Sequence, residues 1–234
     1  MILAAGAGTR LWPLTADYPK SMLPIGGRPL LEHTLALLGR HRITEIVVNL
    51  HHRPDAITNR FGDGSIWGVY ITYSYEEQLL GTAGAVRKVA DFFDETFLVV
   101  YGDVLTNVNL TALTQFHQQR GASVTIALYK VSNPTECGLV QLDATARIVR
   151  FVEKPAPTEV FTDLANAGIY VVEPSVLDHI PADVSLDFGH DVFPRLLDAG
   201  VLLSGYPISD YLIDIGSIEK YKQAQRDWHE GRIR

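Results

Sequence analysis

Short apolar runs alternate with longer, one-sided segments through the first half of the chain, and that alternation leaves few folds open. Glu45 to Leu50, Val69 to Ser74, Phe97 to Tyr101 and Ser123 to Val131 are rich in Val, Ile and Tyr and read as strands. Between them, Pro29 to Arg40 opens on a proline and carries Leu at 30, 31, 35, 37 and 38, while Ala83 to Phe93 and Leu110 to Arg120 bear similar apolar stripes. These read as helices. Successive parallel strands need such crossovers. The expectation is an α/β chain: a Rossmann-like domain with a mostly parallel, mixed central sheet and helices on both faces.

The pattern changes after residue 131. Gly138 to Leu142 and Ile148 to Val152 read as the arms of a hairpin around Asp143, Ala144 and Thr145, and Ala167 to Val172 as a further strand. Gly189 to Leu197 reads as a helix, Val201 to Pro207 as a strand, and Ser217 to Trp228 as a closing amphipathic helix with Ser217 as its N-cap. No linker, internal repeat or low-complexity tract interrupts the chain. The expectation is a single domain over 1–234, with a nucleotide-binding half at 1–131 and a β-rich half at 132–234 that completes its site.

Composition narrows the function. The chain has 234 residues, 47% of them hydrophobic, enough for a substantial core. Its formal net charge of −7 has the wrong sign for non-specific nucleic-acid binding. One cysteine, Cys137, excludes an intrachain disulfide and any multi-cysteine metal cluster, and favours a reducing compartment. No apolar run approaches the ~20 residues of a membrane span, and no basic stretch precedes a signal-like core. A cytoplasmic protein with no nucleic-acid or membrane partner is expected.

Chemistry concentrates first at the amino end. Met1-Ile2-Leu3-Ala4-Ala5-Gly6-Ala7-Gly8-Thr9-Arg10 is an apolar strand running into a small-residue loop. Exposed N–H groups in such a loop make a concave anion site, and Arg10 adds a fork for phosphate oxygens. Leu11 stands where a dinucleotide fingerprint needs its third glycine, which argues against a dehydrogenase, and no Gly-Lys-Ser/Thr surrounds Lys20. Proline-stiffened sequence instead places Lys20 ten residues after Arg10, a pair that suits a polyphosphate. Phe97 to Tyr101 ends in Gly102-Asp103, a carboxylate at the carboxyl end of a strand. Asp214 lies in similarly apolar sequence near the other terminus, and the two acids suit one hard cation such as Mg²⁺. Glu76, before Leu79-Leu80-Gly81-Thr82-Ala83-Gly84, has the chemistry to accept the two adjacent donors of guanine. Cys137 reads as a packed thiol, and His51, His52 and His190 lack the spacing of a helical zinc pair.

The run Leu3-Ala4-Ala5-Gly6-Ala7-Gly8-Thr9-Arg10-Leu11-Trp12-Pro13-Leu14-Thr15, followed by Pro19-Lys20, resembles the signature loop of the sugar-1-phosphate nucleotidyltransferases. That resemblance extends along the chain through Glu153-Lys154-Pro155 and Asn166-Ala167-Gly168 to Asp214-Ile215-Gly216. It implies the nucleotide-diphospho-sugar transferase fold and the conversion of an NTP and a sugar 1-phosphate into an NDP-sugar and pyrophosphate. It also implies roles: Leu3, Ala5, Gly6, Gly8 and Thr9 wrapping the nucleotide, Arg10 on the departing pyrophosphate, Lys20 on the reacting phosphates, and Mg²⁺ on Asp103 and Asp214. Glu76 would read the base with backbone near Gly81 assisting, and Thr82 would join the nucleotide-binding set. Gly138, Glu153, Lys154, Asn166 and Gly168 would hold the sugar phosphate.

Leu-Gly-Thr-Ala-Gly at 80–84 resembles the guanylyl branch, and Asp187 to Pro194 resembles the mannose-1-phosphate guanylyltransferases. GTP with mannose 1-phosphate is therefore expected first. Heptose 1-phosphate, and uridylyl or thymidylyl transfer to glucose 1-phosphate or N-acetylmuramate 1-phosphate, are the alternatives. An alternative of another class is a catalytically silent regulatory subunit that binds a nucleotide sugar. Met1 falls directly in the first strand, so a shortened edge is expected there. No repeat follows Trp228, so assembly through a C-terminal β-helix is not. A homodimer is compatible with the sequence, which shows no interface.

Overall fold

Val47, Val48 and Leu50 are all buried although their side chains alternate along one strand, which places that strand inside a sheet covered on both faces. The computed structural model describes residues 1–233. In chain order the strands are β1 (Ile2–Leu3), β2 (Pro24–Ile25), β3 (Arg28–Pro29), β4 (Glu45–Leu50), β5 (Tyr70–Tyr75), β6 (Phe97–Tyr101), β7 (Val104–Thr106), β8 (Val124–Lys130), β9 (Gly138–Leu142), β10 (Ile148–Glu153), β11 (Leu164–Val172), β12 (Leu203–Pro207) and β13 (Leu212–Asp214). The α-helices are α1 (Leu30–Arg40), α2 (Pro54–Phe61), α3 (Gly81–Lys88), α4 (Leu110–Arg120), α5 (Phe193–Asp198) and α6 (Ile218–His229). None is long and apolar enough to cross a membrane.

Contacts divide the chain into two compact units that interleave in sequence. The first comprises Met1–Leu79, Val100–Leu110 and the chain from Asp210 onward, and the second Leu80–Val99 and Thr111–Ser209. The division at residue 131 read from the sequence is therefore drawn differently. The last segment returns to the first unit because β13 pairs with β7 and α6 packs against the β2–β3 hairpin, a long-range preference that no local pattern encodes.

In the first unit β1 is central. Ile2 and Leu3 pair in parallel with Val48 and Asn49 on one side and with Val100 and Tyr101 on the other, and β5 extends the sheet beyond β4, again in parallel. A two-stranded antiparallel ribbon, β7 with β13, sets Asp214 opposite Val104. A second small hairpin, β2 with β3, turns through Gly26 (φ 55°) and Gly27 (φ 81°), the paired left-handed geometry of a two-residue turn. Leu11, Leu23, Ile25, Leu30, Leu105, Ile215, Ala224 and Ile233 form a core against which Tyr221 and Trp228 of α6 pack.

Polar contacts fix β13 as well. The Thr106 hydroxyl donates to the Tyr211 carbonyl (2.7 Å), and the Tyr211 N–H donates to Asn107 Oδ1 (3.0 Å). The buried Asp227 accepts from the Tyr211 hydroxyl (2.8 Å), Gln223 Nε2 (2.6 Å) and Arg232 Nη1 (2.7 Å). Burial, and then the Asp227 carboxylate, hold the Tyr211 hydroxyl well above its ordinary range, so it stays a donor.

In the second unit β8 is central, antiparallel to β11 and parallel to β12, and β11 meets the β9–β10 hairpin at Ala165 and Leu139. The hairpin turn is organised by Asp143, whose Oδ1 accepts from the N–H groups of Thr145 and Arg147 and from the Thr145 hydroxyl. The helix read at Gly189 to Leu197 begins instead as a single wide turn, Phe188–Val192, and becomes α-helical at Phe193. Ser217 caps α6 as expected, accepting from the Lys220 N–H at 3.3 Å.

A Cβ added at Gly26 would fall within the Trp228 indole, on a residue whose φ already disfavours a side chain. Gly26→Ala is expected to lower stability by about 2–3 kcal/mol, read as a lower urea midpoint at unchanged slope. A midpoint equal to the parent's would show that Trp228 does not pack against this turn.

Candidate active site

The strand β1 ends where small residues begin, and the loop is held from beneath. Asn49 Oδ1 accepts the N–H groups of Ala4 (2.6 Å) and Ala5 (3.3 Å), and Asn49 Nδ2 donates to Glu76 Oε1 (2.7 Å). Asn49 is 4% exposed and Glu76 1%. The Thr15 hydroxyl donates to the Gly8 carbonyl at 2.8 Å, and Gly8 (φ 62°) leaves no room for a side chain against Thr15 and Lys20. Gly6 and Thr9 are exposed, and a Cβ at Gly6 would meet nothing. The loop thus presents Gly6 and its neighbours outward while its first amides are tied inward.

Glu76 was expected at a nucleobase. The structure places its carboxylate beneath the loop, bonded to Asn49 and almost fully buried. Sequence reasoning missed Asn49. The available signal was a lone amide inside the otherwise apolar run Ile46 to Leu50.

Asp103 and Asp214, distant in sequence, share one ammonium. Lys20 Nζ lies 2.5 Å from Asp103 Oδ2 and 3.5 Å from Asp214 Oδ1. The geometry follows from the ribbon, because Asp214 ends β13 while the Ile215 N–H donates to the Asp103 carbonyl at 3.0 Å. Gly102 brings this turn against the amino-terminal loop, where its added Cβ would meet the Leu3 carbonyl at 2.8 Å. A third cation, Lys220 on the first turn of α6, has its Nζ 3.6 Å from Asp214 Oδ2. Lys220 was also missed, although it lies one turn beyond the Ser217 cap. Arg10 is exposed, and a Cβ at Gly216 would stand 3.3 Å from Arg10 Nη2 and 2.8 Å from Asp214 Oδ2. Only glycine at 216 leaves both groups in place.

This donor set fits a hard cation that brings ligands of its own. Asp214 Oδ1 is buried without a hydrogen-bond partner, and it converges with Asp103 Oδ2 on one ammonium. Among the described residues no group of three or more His, Cys, Asp or Glu side chains forms a closed metal site. Two carboxylates with phosphate and water oxygens make a magnesium shell.

In the second unit, Gly81 and Thr82 open α3. Thr82 N–H and hydroxyl both donate to Asp187 Oδ1 (3.0 and 3.1 Å), the Phe188 N–H donates to Thr82 Oγ1 (2.8 Å), and the Ala83 and Gly84 N–H groups donate to the Leu186 carbonyl. The helix start is therefore capped by the chain's own segment 186–188. The N–H and hydroxyl of Thr82, expected at the nucleotide, are thus engaged with Asp187.

Glu153 ends β10 opposite Gly138 of β9. An added Cβ at Gly138 or Gly189 would strike Glu153 Oε2, so these glycines make the recess that holds the carboxylate. Burial pushes the Glu153 carboxyl above its ordinary 4.5, opposed by Lys154, reinforced by Asp187 and opposed by His190. Lys154 is exposed, with Nζ 3.9 Å from Glu153 Oε1. Asn166 donates to the Tyr170 hydroxyl (2.8 Å) and accepts from the Gly168 N–H (2.9 Å), which shapes the irregular register of β11 around Gly168 (φ 70°). Its amide is thus engaged within its own strand. Gly138, Glu153 and Lys154 lie together here.

Residues 1–231 match the family model described as nucleotidyl transferase. The chain is 39% identical to a UTP–glucose-1-phosphate uridylyltransferase of Synechocystis sp., over 97% of its length and 62% of the relative's. It is 37% identical to a mannose-1-phosphate guanylyltransferase of Mycobacterium tuberculosis, over 99% of its length and 64% of the relative's. It therefore spans less than two thirds of either relative. A solved protein of Bacillus anthracis, named as a glucose-1-phosphate thymidylyltransferase and bound to sucrose, superposes with a TM-score of 0.87 at 26% identity, covering 96% of this chain and 92% of that one.

The raised Glu153 carboxyl has a pH signature. Above its folded value the group is charged in both states and the burial penalty is fully present, whereas below the ordinary 4.5 it is neutral in both states and the penalty is gone. Glu153→Gln is expected to be more stable than the parent at neutral pH, with the difference fading as pH falls through 4.5. Denaturation series from pH 7 to pH 4 test this, and a difference independent of pH would refute it.

Proposed function

Because the chain belongs to the nucleotidyl transferase family, we propose that it joins an NTP to a sugar 1-phosphate, forming an NDP-sugar and releasing pyrophosphate. The observation that carries this reading is the meeting of Lys20, Asp103 and Asp214 beside the amino-terminal loop, with Arg10 at Gly216. A phosphate oxygen of the sugar 1-phosphate attacks the α-phosphorus in line. The bond to the β-phosphate bridging oxygen breaks, and its electron pair leaves with pyrophosphate. Little covalent work falls to the protein, so alignment and charge neutralisation carry the rate.

Each residue has a part in that chemistry. The loop amides around Gly6 and Gly8 bind phosphate oxygens, and Asn49 with Glu76 keeps that loop in shape. Arg10, exposed and forked, takes the departing pyrophosphate. Lys20 screens the reacting phosphates. Lys154 holds the sugar's phosphate, and Glu153 accepts from its hydroxyls. Asp103 and Asp214 would hold magnesium, which would supply charge neutralisation at the phosphates.

GTP with mannose 1-phosphate is our first reading of the substrates, supported by the 80–84 sequence and by the mycobacterial relative that matches 99% of the chain. A second reading, UTP with glucose 1-phosphate, is favoured by the cyanobacterial relative and by the burial of Glu76, whose carboxylate is bonded to Asn49.

Pyrophosphate release from a panel of GTP, UTP, dTTP and ATP against mannose and glucose 1-phosphates tests the reaction and separates the two substrate readings. Turnover by one pair is expected, and no release with any pair would overturn the assignment. Asp214→Asn should reduce kcat by roughly 10²–10³-fold, the cost of removing one preorganised electrostatic partner. Full magnesium-dependent turnover in that variant would reject the metal assignment.

A further inference from the structure

Both carboxylates assigned to the metal already face cations of the chain. Lys20 Nζ meets Asp103 Oδ2 and Asp214 Oδ1, and Lys220 Nζ stands on the other side of Asp214 at Oδ2. Neither lysine is placed there loosely. Lys20 sits in a tight turn, Lys20–Met22, with its stem against Gly8 and its side chain 11% exposed. The Lys220 backbone is held by the capping bond from its N–H to Ser217, one turn from the strand end that carries Asp214, and from there its ammonium reaches Asp214 Oδ2. With the Arg10 guanidinium at Gly216, three positive groups surround two negative ones.

A divalent ion approaching alone meets an unfavourable field. It must compete with two ammonium groups for the same oxygens, and two carboxylates supply only part of the oxygen shell it requires. A triphosphate reverses this balance. Its charge attracts the lysines away from the acids, and its oxygens complete the shell.

We propose that Lys20 and Lys220 act as built-in counter-ions that close the Asp103–Asp214 pair to free divalent cations, so that the metal enters only with the nucleotide's phosphates. The inference rests on the reading that these two acids take the metal. It adds a role for Lys220, as a group that sets the order of binding by its charge on Asp214.

Direct binding of Mn²⁺, an oxygen-seeking probe of the same charge, followed by loss of the free-ion electron paramagnetic resonance signal without nucleotide, tests this independently of turnover. The parent should bind Mn²⁺ weakly. Lys220→Met, at a half-exposed surface position, should bind it about tenfold more tightly, because a unit charge near the site is removed, and Lys220→Gln should reproduce that gain. Raising the salt concentration should narrow the gap between parent and variant. Asp214→Asn added to Lys220→Met should abolish the gain. Parent-like Mn²⁺ affinity in both Lys220 variants would overturn the counter-ion role alone, leaving the metal reading to the Asp214→Asn kinetics. A gain that survives Asp214→Asn would place the ion elsewhere and overturn both.

Discussion

The pairing of β7 with β13 is the constraint on which the candidate site depends. An antiparallel ribbon of three residues on each side sets the end of β13 opposite the start of β7, so Asp103 and Asp214 become neighbours although nearly half of the chain separates them. Bringing two carboxylates together is unfavourable in itself, and Lys20 compensates by standing between them. The ribbon is held on its outer side by Tyr211, Thr106, Asn107 and the buried Asp227. Three donors converge on the buried Asp227 and satisfy its carboxylate oxygens. Asp103 and Asp214 are thus positioned by a polar network several residues away from them.

A similar economy governs the amino-terminal loop. A phosphate cradle needs amides directed outward, yet a loop of small residues has no side chains with which to hold itself. Asn49 supplies the missing anchor from the neighbouring strand, and Glu76 orients Asn49 from the next. A buried carboxylate and amide that satisfy each other make the arrangement rigid. Losing one would leave the other desolvated and unpaired. In the second unit the same logic appears at Glu153, whose recess exists because Gly138 and Gly189 have no side chains. There the carboxyl is shifted upward by burial, whereas Asp191 is held low, chiefly by the Asp187 N–H it accepts.

Particular residues show where sequence reasoning reached and where it stopped. The strands at 45–50, 97–101 and 138–142 and the helix at 110–120 coincide with their expected ranges, because each is a contiguous run whose residue types favour that element. The β2–β3 hairpin escaped notice, since two-residue strands have no period to read. Glu76 was noticed for its charge and placed at the base. Its position after β5 instead directs it under the loop toward Asn49, a contact across strands that adjacency in sequence does not reveal. Thr82 was placed on the nucleotide as part of an open helix start, but Asp187 and Leu186 arrive from far along the chain to take those donors.

By itself, the sequence determined the α/β class, the run of its strands and helices, the glycine loop and the identity of the charged groups that mark the family. These are properties of local period, of residue type and of a motif contiguous in the chain. Only the tertiary structure decided that Asp103 and Asp214 converge on one lysine, that Lys220 joins them, that Asn49 and Glu76 brace the loop, and that the last strand and helix return to the first unit. Those outcomes depend on register between segments remote in sequence, and register is set by packing and mutual hydrogen bonding, which no single segment contains.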